Sequence, residues 1–278
     1  IIEEIYTDKS VDFKVGDRVT VEPLISCGVC EACKKGFYHV CNSLKLLGIH
    51  ENGGYAQYTK ASINKLVKVS EKLSDSVAAL AEPFAVGFHV ISRSELKLGD
   101  TALIIGAGPI GMIIAIAAKE AGASRVVISE INEKRLELAT SMGFETINSR
   151  AVDAMHAIKE MTNGNGFDVV FEVSGSKQGI LLTADVCKIR GTIVPLSLSG
   201  LPVEFMLGKV SFKELKVIGT RVYSFMDFVG GVKLLERMAD EYDLNMLITD
   251  TILLQDAQTA IDSMKKGTNV SKILIKCY

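Results

Sequence analysis

An uncharged stretch at residues 101–111, TALIIGAGPIG, constrains the fold of this chain more than any other segment. Its apolar first half predicts a buried strand of a parallel sheet, because short apolar runs bounded by turn residues are typical of such strands. Gly106, Gly108 and Gly111 then follow with the spacing G-x-G-x-x-G, with Pro109 inside the motif. The first glycine permits a tight turn, the second lets a pyrophosphate approach the main chain, and the third lets the next helix pack on the strand. The stretch therefore predicts a dinucleotide-binding turn.

Glycine-rich turns also occur for packing reasons alone, so the residues that follow decide between the two interpretations. A helical stretch to Ala121 leads to a second predicted strand, residues 125–129, and then to Glu130. An acidic residue about 20 positions beyond the glycines is where the adenosine ribose hydroxyls are bound. A carboxylate there accepts from the 2′-hydroxyl and repels a 2′-phosphate, which favours NAD over NADP. Ile131 adds no positive charge, whereas the nearby Arg135 leaves NADP open.

The overall composition indicates a globular protein that handles small molecules. The chain has 278 residues, 48% of them hydrophobic, which is enough for two domains with real cores. Its net charge of −2 provides no field that would favour nucleic acid or an anionic membrane. Residues 101–118 carry no charge, but glycines and a proline interrupt them and no polybasic flank follows, which argues against a membrane span. The acidic, polar N-terminus IIEEIYTDKS does not resemble a secretory signal.

The alternation of helical and strand patterns after the glycine turn predicts a doubly wound parallel sheet. Residues 1 to about 70 instead predict short strands, in VDFKVGDRVTVEP, GGYAQYTKA and INKLVKV. A helical pattern begins after them, with Ser74 or Asp75 as the candidate N-cap. Pro83 is expected to bend this helix or to begin a new helical segment. The predicted elements after the turn are strand 125–129, helix 133–142, strand 146–147, helix 153–161, strand 168–173, helix 177–188, strands 191–196 and 216–220, helix 226–240, a strand about Ile252, helix 257–266 and strand 272–276.

The six cysteines are unevenly distributed. Four lie in CGVCEACKKGFYHVC with the spacing Cys-x2-Cys-x2-Cys-x7-Cys: Cys27, Cys30, Cys33 and Cys41. Buried free thiols or disulfides are the alternative, but cysteines this close in sequence make poor disulfide partners. Four thiolates at such spacing predict a closed, tetrahedral structural zinc site. The distant Cys187, in the predicted helix 177–188, and Cys277 read as lone thiols of a reducing compartment, which predicts a cytoplasmic protein.

Together these motifs resemble a known family. The four-cysteine lobe, ENGGYAQY, LAEPFAVGFHV, GDTALIIGAGPIGM, VVISEINEKR, IGTRVY and KILIKC look like the zinc-dependent medium-chain dehydrogenases of the alcohol dehydrogenase superfamily. They are most similar to its polyol (sorbitol) and secondary-alcohol branch, and the resemblance covers nearly the whole chain. It implies a Rossmann NAD-binding domain at residues 93–223. It also implies a mostly β, GroES-like catalytic domain at 1–92 and 224–278, with the zinc lobe at about 26–42.

The resemblance also implies roles for particular residues. The four cysteines match the structural zinc ligands, and Glu82 matches the carboxylate that reaches the catalytic zinc directly or through water. The residues that match cofactor positions are Ile110, Glu130 and Arg135 around the adenosine half, and Leu196, Ser197, Leu198, Arg221 and Tyr223 near the nicotinamide and substrate. Alternative interpretations are that Ile110 and the leucines belong to the core and that Arg135 is a solvated helix residue.

One departure from the family pattern concerns the catalytic zinc. In the family, a cysteine ligand and a Gly-His-Glu segment precede the region that begins here at Ile1. We therefore expect an N-terminally truncated form that lacks two main ligands of that zinc, because neither Cys187 nor Cys277 is placed to substitute. His50 and His89 are expected to be substrate-side or structural residues.

These observations lead to three hypotheses about function. The first is a zinc-dependent, NAD-linked oxidoreductase that transfers hydride from a polyol or secondary alcohol to NAD, with zinc lowering the pKa of the bound alcohol. The second is a catalytically inactive module that binds zinc and a dinucleotide. The third, a zinc-free reductase of the same fold, is disfavoured by the cysteine lobe and Glu82. The expected partners are a small alcohol or polyol and other copies of the chain, as a homodimer or homotetramer, with neither nucleic acid nor membrane. Tyr55, Phe84 and Tyr223 are candidates for the alcohol pocket but do not identify the substrate.

Overall fold

The computed structural model describes residues 1–197, 202–266 and 270–277. The chain divides into two compact units, each described below by itself. Unit 1 comprises Ile1–Ala85, Tyr223–Thr268 and Ile273–Tyr278, and unit 2 comprises Val86–Val222 and Asn269–Lys272. The domain boundaries proposed from the sequence, at 92/93 and 223/224, stay a prediction.

The first part of unit 1 consists of short strands and helical turns. The strands are β1 (Val19–Val21), β2 (Leu24–Ile25), β3 (Lys45–Leu46) and β4 (Leu66–Lys68), and the helices are α1 (Glu31–Lys34) and α2 (Asp75–Ala78). β1 pairs antiparallel with β4, and β2 pairs antiparallel with β3. The predicted strand GGYAQYTKA is wrong, since this fully described segment contains none. Two adjacent glycines weaken a strand. Gly53 instead lies against Gly48, since a Cβ added to Gly53 would be 2.4 Å from the Gly48 Cα.

The helical region after Ser74 consists of two helices. The Ser74 hydroxyl caps α2 by accepting from the Val77 amide at 3.2 Å, as an N-cap residue does. A second helix, α3 (Ala81–Ser94), then follows. Pro83 lies in its first turn, where a missing N–H removes no helical hydrogen bond. The same turn contains Glu82, whose negative charge suits the positive end of the helix dipole.

Unit 2 contains a six-stranded sheet in which every strand pairing is parallel. The strands are β5 (Thr101–Ile105), β6 (Arg125–Glu130), β7 (Glu145–Asn148), β8 (Phe167–Glu172), β9 (Cys187–Pro195) and β10 (Lys216–Val217), in the spatial order β10-β9-β8-β5-β6-β7. The helices are α4 (Pro109–Glu120), α5 (Glu133–Ser141), α6 (Ala154–Met161), α7 (Lys177–Val186) and α8 (Leu207–Phe212). The predicted doubly wound α/β fold is confirmed.

Helix α4 is buried over consecutive residues from Gly111 to Ala118. A helix that is apolar on every side belongs in the interior of a protein or in a membrane. Within the described ranges, the structure contains no helix with both the length and the apolar character needed to cross a bilayer. Interior packing against β5 and β6 therefore accounts for the uncharged run in the sequence.

The end of α7 corrects one expectation from the sequence. Cys187, predicted within a helix that extends to residue 188, is the first residue of β9, and α7 ends at Val186. The Lys213 ammonium donates to the carbonyls of Ala184, Asp185 and Cys187 at 3.0, 2.8 and 2.8 Å. This lysine satisfies carbonyl groups that a longer helix would otherwise have used.

The last elements of the chain are α9 (Phe225–Met238), β11 (Ile248–Leu253), α10 (Ala257–Lys265) and β12 (Lys272–Lys276). Helix α9 begins with a capping box, in which Ser224 and Asp227 each bond the other's backbone N–H. β11 and β12 are neighbours in a two-stranded sheet.

Gly111 allows the closest approach within the glycine turn. A Cβ atom added to it would lie 1.9 Å from the Gly106 carbonyl oxygen. Any larger residue must therefore push α4 away from the end of β5.

Replacement of Gly111 by alanine should consequently destabilise unit 2. Overpacking a core costs about 1–3 kcal/mol, which corresponds to a fall of about 3–10 °C in the thermal unfolding midpoint. Differential scanning fluorimetry of Gly111→Ala measures this. Gly208→Ala is the control, because a Cβ at that helical position meets no atom of the described chain within 4 Å. Equal midpoints for the two variants would contradict the close contact.

Candidate functional site

The glycine turn of unit 2 presents bare backbone at the start of α4. Gly106 has a φ of +109°, which favours glycine, and its carbonyl lies against Gly111. Gly108 is the N-cap residue, and a Cβ added there would meet no described atom within 4 Å. Pro109 occupies the first helical turn, and Ile110 is half-buried. The free N–H groups and partial positive charge of this helix end are suited to a phosphate group, so the turn fits the pyrophosphate of a dinucleotide.

Glu130, the last residue of β6, lies beside this turn and is only 7% exposed. Its Oε2 accepts from the Ala107 amide at 2.8 Å, and its Oε1 accepts from the Ile131 and Asn132 amides at 2.7 and 3.0 Å. The Arg135 guanidinium lies 3.9 Å from Oε2 and also donates to the Val270 carbonyl at 3.0 Å. The structure thus brings Glu130 and Arg135 together next to the glycine turn.

The other predicted cofactor residues lie in several places. Leu196 and Ser197 follow β9, and the Leu196 amide donates to the Glu172 carbonyl at 2.9 Å. Leu198 lies outside the described residues. Arg221 is exposed and belongs to unit 2, whereas Tyr223 is fully buried in unit 1.

The four cysteines of unit 1 converge on one point. Their sulfur atoms all lie within 4.8 Å of one another. Backbone amides point at the sulfurs: those of Cys27 and Ser43 donate to Cys41 Sγ, and that of Cys30 donates to Cys27 Sγ, each at 3.4 Å. N–H groups from Cys33 and Asn42 lower the pKa of the Cys30 thiol to about 6, whereas burial raises that of Cys33 to about 11. Four soft ligands at these distances fit a tetrahedral zinc ion.

A buried carboxylate that the sequence analysis missed fixes the cysteine lobe to the rest of unit 1. Glu22, between β1 and β2, has no exposed surface, and it accepts from the Tyr38 hydroxyl and pairs with the Lys65 ammonium. That ammonium also lies 4.6 Å from the centroid of the Tyr38 ring. Because Tyr38 lies three residues before Cys41, this contact holds the last cysteine of the lobe in place. Both partners of Glu22 are distant in sequence, so no local pattern indicates its role.

Glu82 and Tyr223 form a second polar contact in unit 1. The Tyr223 hydroxyl donates to Glu82 Oε1 at 2.8 Å, and its ring packs on Phe228 with centroids 5.5 Å apart. Burial, and then the Glu82 charge, raise the pKa of Tyr223 above its usual value, which keeps the hydroxyl protonated. Tyr223 therefore orients the one carboxylate that the sequence assigned to catalysis.

Among the residues that the structure describes, Glu82 does not belong to a larger cluster of metal ligands. In the described part of the chain, the four cysteines are the one group of three or more His, Cys, Asp or Glu side chains placed to hold an ion. His50 Nδ1 accepts from the Leu46 amide at 3.1 Å, which supports a structural role, and His89 is buried in α3. The described residues therefore fit a structural zinc site but do not by themselves form a catalytic one.

Comparisons with known proteins identify the family. Residues 1–71 match the alcohol dehydrogenase GroES-like domain, and residues 109–237 match the zinc-binding dehydrogenase domain. The 2-dehydro-3-deoxy-L-galactonate 5-dehydrogenase of Pseudoalteromonas atlantica is 34% identical over 265 residues, which cover 95% of this chain and 77% of that protein. The sorbitol dehydrogenase of Bacillus subtilis is 35% identical over 260 residues, which cover 91% and 72%.

A similar solved structure is that of 2R,3R-butanediol dehydrogenase from Bacillus subtilis. The two structures superpose with a TM-score of 0.85 and share 30% sequence identity. The alignment covers 96% of this chain and 76% of that chain. Solved structures of two other similar chains contain NADP and NADH, respectively. The chain belongs to the zinc-binding dehydrogenases of the medium-chain, alcohol dehydrogenase superfamily. It is an oxidoreductase by family, and the predictions of the family and of the cofactors zinc and NAD are confirmed.

Replacement of Cys30 by serine should abolish metal retention by the lobe. The wild-type chain should contain about one zinc ion after purification, since a closed site uses all four thiolates. The measurement is inductively coupled plasma mass spectrometry, and loss of zinc should also lower the unfolding midpoint. Cys277→Ser is the control, because Cys277 Sγ contacts the Gly54 carbonyl at 3.3 Å rather than the lobe. Full zinc content in Cys30→Ser would rule out the four-cysteine site.

Proposed function

We propose that this chain catalyses NAD-linked oxidation of a polyol or secondary alcohol. The observation that carries this proposal is the open glycine turn at the N-terminus of α4, flanked by the buried carboxylate of Glu130. NAD, when bound, supplies the hydride acceptor at its nicotinamide ring. The backbone N–H groups of the glycine turn would hold the pyrophosphate, and Glu130 would bind the adenosine ribose.

The preference for NAD over NADP follows from the acceptor capacity of Glu130. A carboxylate has about four lone-pair positions, so the three backbone amides leave about one free for a ribose hydroxyl. A 2′-phosphate would instead meet the carboxylate as a like charge. Arg135 lies near Glu130 and bonds the Val270 carbonyl, so it is engaged within the protein. Ile131, the residue next to Glu130, contributes no charge.

The wild-type chain should therefore bind NADH at least about tenfold more tightly than NADPH, because the carboxylate repels the extra phosphate. Glu130→Gln removes that repulsion and should narrow the difference. The affinities can be measured from the fluorescence of the reduced cofactor, and the chain has no tryptophan to interfere. Glu137→Gln is the control, since this glutamate is exposed on α5. Tighter binding of NADPH by the wild type would overturn the NAD assignment.

The second part of the proposal concerns zinc. The four sulfur atoms support a structural zinc site in the lobe, where the metal would stabilise the local fold. We also propose that Glu82 acts at a catalytic zinc and near the alcohol. This is supported by its match to the family's zinc-site carboxylate and by its hydrogen bond from Tyr223. The described residues do not form a second metal site.

The substrate class is proposed from the relatives. They are named for sorbitol, for 2-dehydro-3-deoxy-L-galactonate and for 2R,3R-butanediol, all of which are small and rich in oxygen. A hydroxylated substrate of this kind can bond to a fixed carboxylate such as Glu82. We therefore propose a small polyol or diol as the substrate, in a cytoplasmic protein that forms a homodimer or homotetramer.

A second candidate is a module that binds zinc and a dinucleotide without catalysis. The single metal-ligand group among the described residues favours it. A zinc-free reductase is less consistent with the convergence of four thiols.

An activity screen separates these candidates. We expect NADH formation at 340 nm with at least one of sorbitol, threonine, 2,3-butanediol and simple secondary alcohols. Loss of an oriented carboxylate should lower kcat/KM by about tenfold or more in Glu82→Gln, and Tyr223→Phe should lower it through misplacement of Glu82. Glu71→Gln, an exposed change, is the control. If NADH binds but no alcohol is oxidised, the catalytic proposal is wrong and the binding module is favoured.

A further inference from the structure

A second buried glutamate lies on the other side of the glycine turn. Glu172 is the last residue of β8 and pairs in register with Ile105, the last residue of β5, and with Pro195 of β9. In the sheet order, β5 lies between β6 and β8, so the chain proceeds in opposite directions from β5. Dinucleotides bind in the crevice at the carboxyl ends of the strands at such a switch point. Glu172 is therefore at the edge of the proposed cofactor site.

The Glu172 carboxylate organises the loop that follows β8. The side chain is 1% exposed, and its Oε1 accepts from the Ser174 amide at 3.0 Å, the Ser174 hydroxyl at 2.6 Å and the Gly175 amide at 3.0 Å. Gly179 leaves room for this arrangement, because an added Cβ would lie 3.1 Å from Oε1 and 2.6 Å from Ser174 Oγ. One carboxylate oxygen thus fixes the turn from Ser174 to Ser176.

The second oxygen, Oε2, is buried and has no hydrogen-bond partner among the described residues. An unsatisfied buried oxygen on a charged group is costly, and such groups are rare in native structures. Ser176 already caps α7 by accepting from the Gly179 amide at 2.9 Å. The capping of α7 therefore does not explain why a carboxylate is buried here.

The loop that Glu172 orders contacts both neighbouring parts of the crevice. A Cβ added to Gly106 would lie 3.0 Å from the Ser174 nitrogen, so Ser174 packs directly on the first glycine of the turn. A Cβ added to Gly175 would lie 3.2 Å from Ser197 Cβ, and the Glu172 carbonyl accepts from the Leu196 amide at 2.9 Å. Glu172 is thus the common support of the glycine turn and of two predicted cofactor residues.

We propose that Glu172 is a positioning residue for the dinucleotide. Its Oε1 holds the Ser174–Ser176 loop against Gly106 and Ser197, which keeps the pyrophosphate turn and the end of β9 in their binding geometry. This inference rests on the proposed function, since it concerns the same cofactor site. The carboxylate acts through the loop and does not need to contact the cofactor.

The test measures NADH affinity by cofactor fluorescence in four variants, at a temperature well below every unfolding midpoint. Glu172→Ala removes all three acceptor contacts and should weaken binding about tenfold or more. Glu172→Gln keeps an acceptor but loses the charge, so its NADH binding should be only about threefold weaker than that of the wild type. This would be a partial rescue relative to Glu172→Ala. Ser174→Ala removes the 2.6 Å contact without changing a buried charge and should also weaken binding. Glu214→Gln, at an exposed site in the same unit, should bind as the wild type does.

The outcomes are distinguishable. Weaker binding in Glu172→Ala with recovery in Glu172→Gln supports the positioning role, and if Glu172→Ala fails to fold, Ser174→Ala decides. Lower unfolding midpoints with unchanged NADH affinity would mean that Glu172 is only structural and would overturn the inference. If the wild-type chain binds no NADH, the proposed function fails first and this inference with it. Wild-type binding that persists unchanged in Glu172→Ala and Ser174→Ala refutes this inference alone.

Discussion

The contact between Gly111 and the Gly106 carbonyl sets the geometry on which the proposed cofactor site depends. It lets the first turn of α4 lie directly at the end of β5, where no side chain could fit. The helix is buried along most of its length, so it cannot move without exposing apolar surface. The free amides at its N-terminus are therefore fixed relative to the sheet. A binding site that is formed before its ligand arrives loses less conformational entropy on binding.

Buried carboxylates complete this preorganised site. Glu130 holds the turn from the β6 side through the Ala107 amide, and Glu172 holds it from the β8 side through Ser174. Each carboxylate is stabilised mainly by backbone N–H donors, which are rigid and directional. Unit 1 also contains a buried carboxylate, but this one is paired with a cation: Glu22 accepts from Tyr38 of the cysteine lobe and forms an ion pair with Lys65. In each case, a charge inside the protein fixes the position of a loop that carries binding groups.

The sequence predicts those parts of the fold that local periodicity encodes. The apolar run before Gly106 predicts β5, and the alternation that follows predicts the parallel sheet. The bounds of β12 agree with the predicted residues 272–276. The segment GGYAQYTKA misleads, because its tyrosines and threonine are residues that favour strands while its glycines allow a close loop contact. The end of α7 was missed because the Lys213 ammonium that satisfies the Cys187 carbonyl lies 26 residues further along the chain.

The same distinction explains why Glu130 was predicted from the sequence and Glu22 and Glu172 were missed. Glu130 lies at a fixed distance from the glycines because a single helix and strand separate them, so the spacing itself carries information. The distance from the glycines to Glu172 depends on several intervening helices and loops, and Glu22 is 43 residues from Lys65. The partners of Glu22 are distant in sequence, and the loop that Glu172 bonds meets Gly106 and Ser197 only in the folded chain, so both residues resemble any other glutamate in the sequence. The sequence therefore identifies the residues proposed to contact the cofactor more readily than the residues that hold them in place.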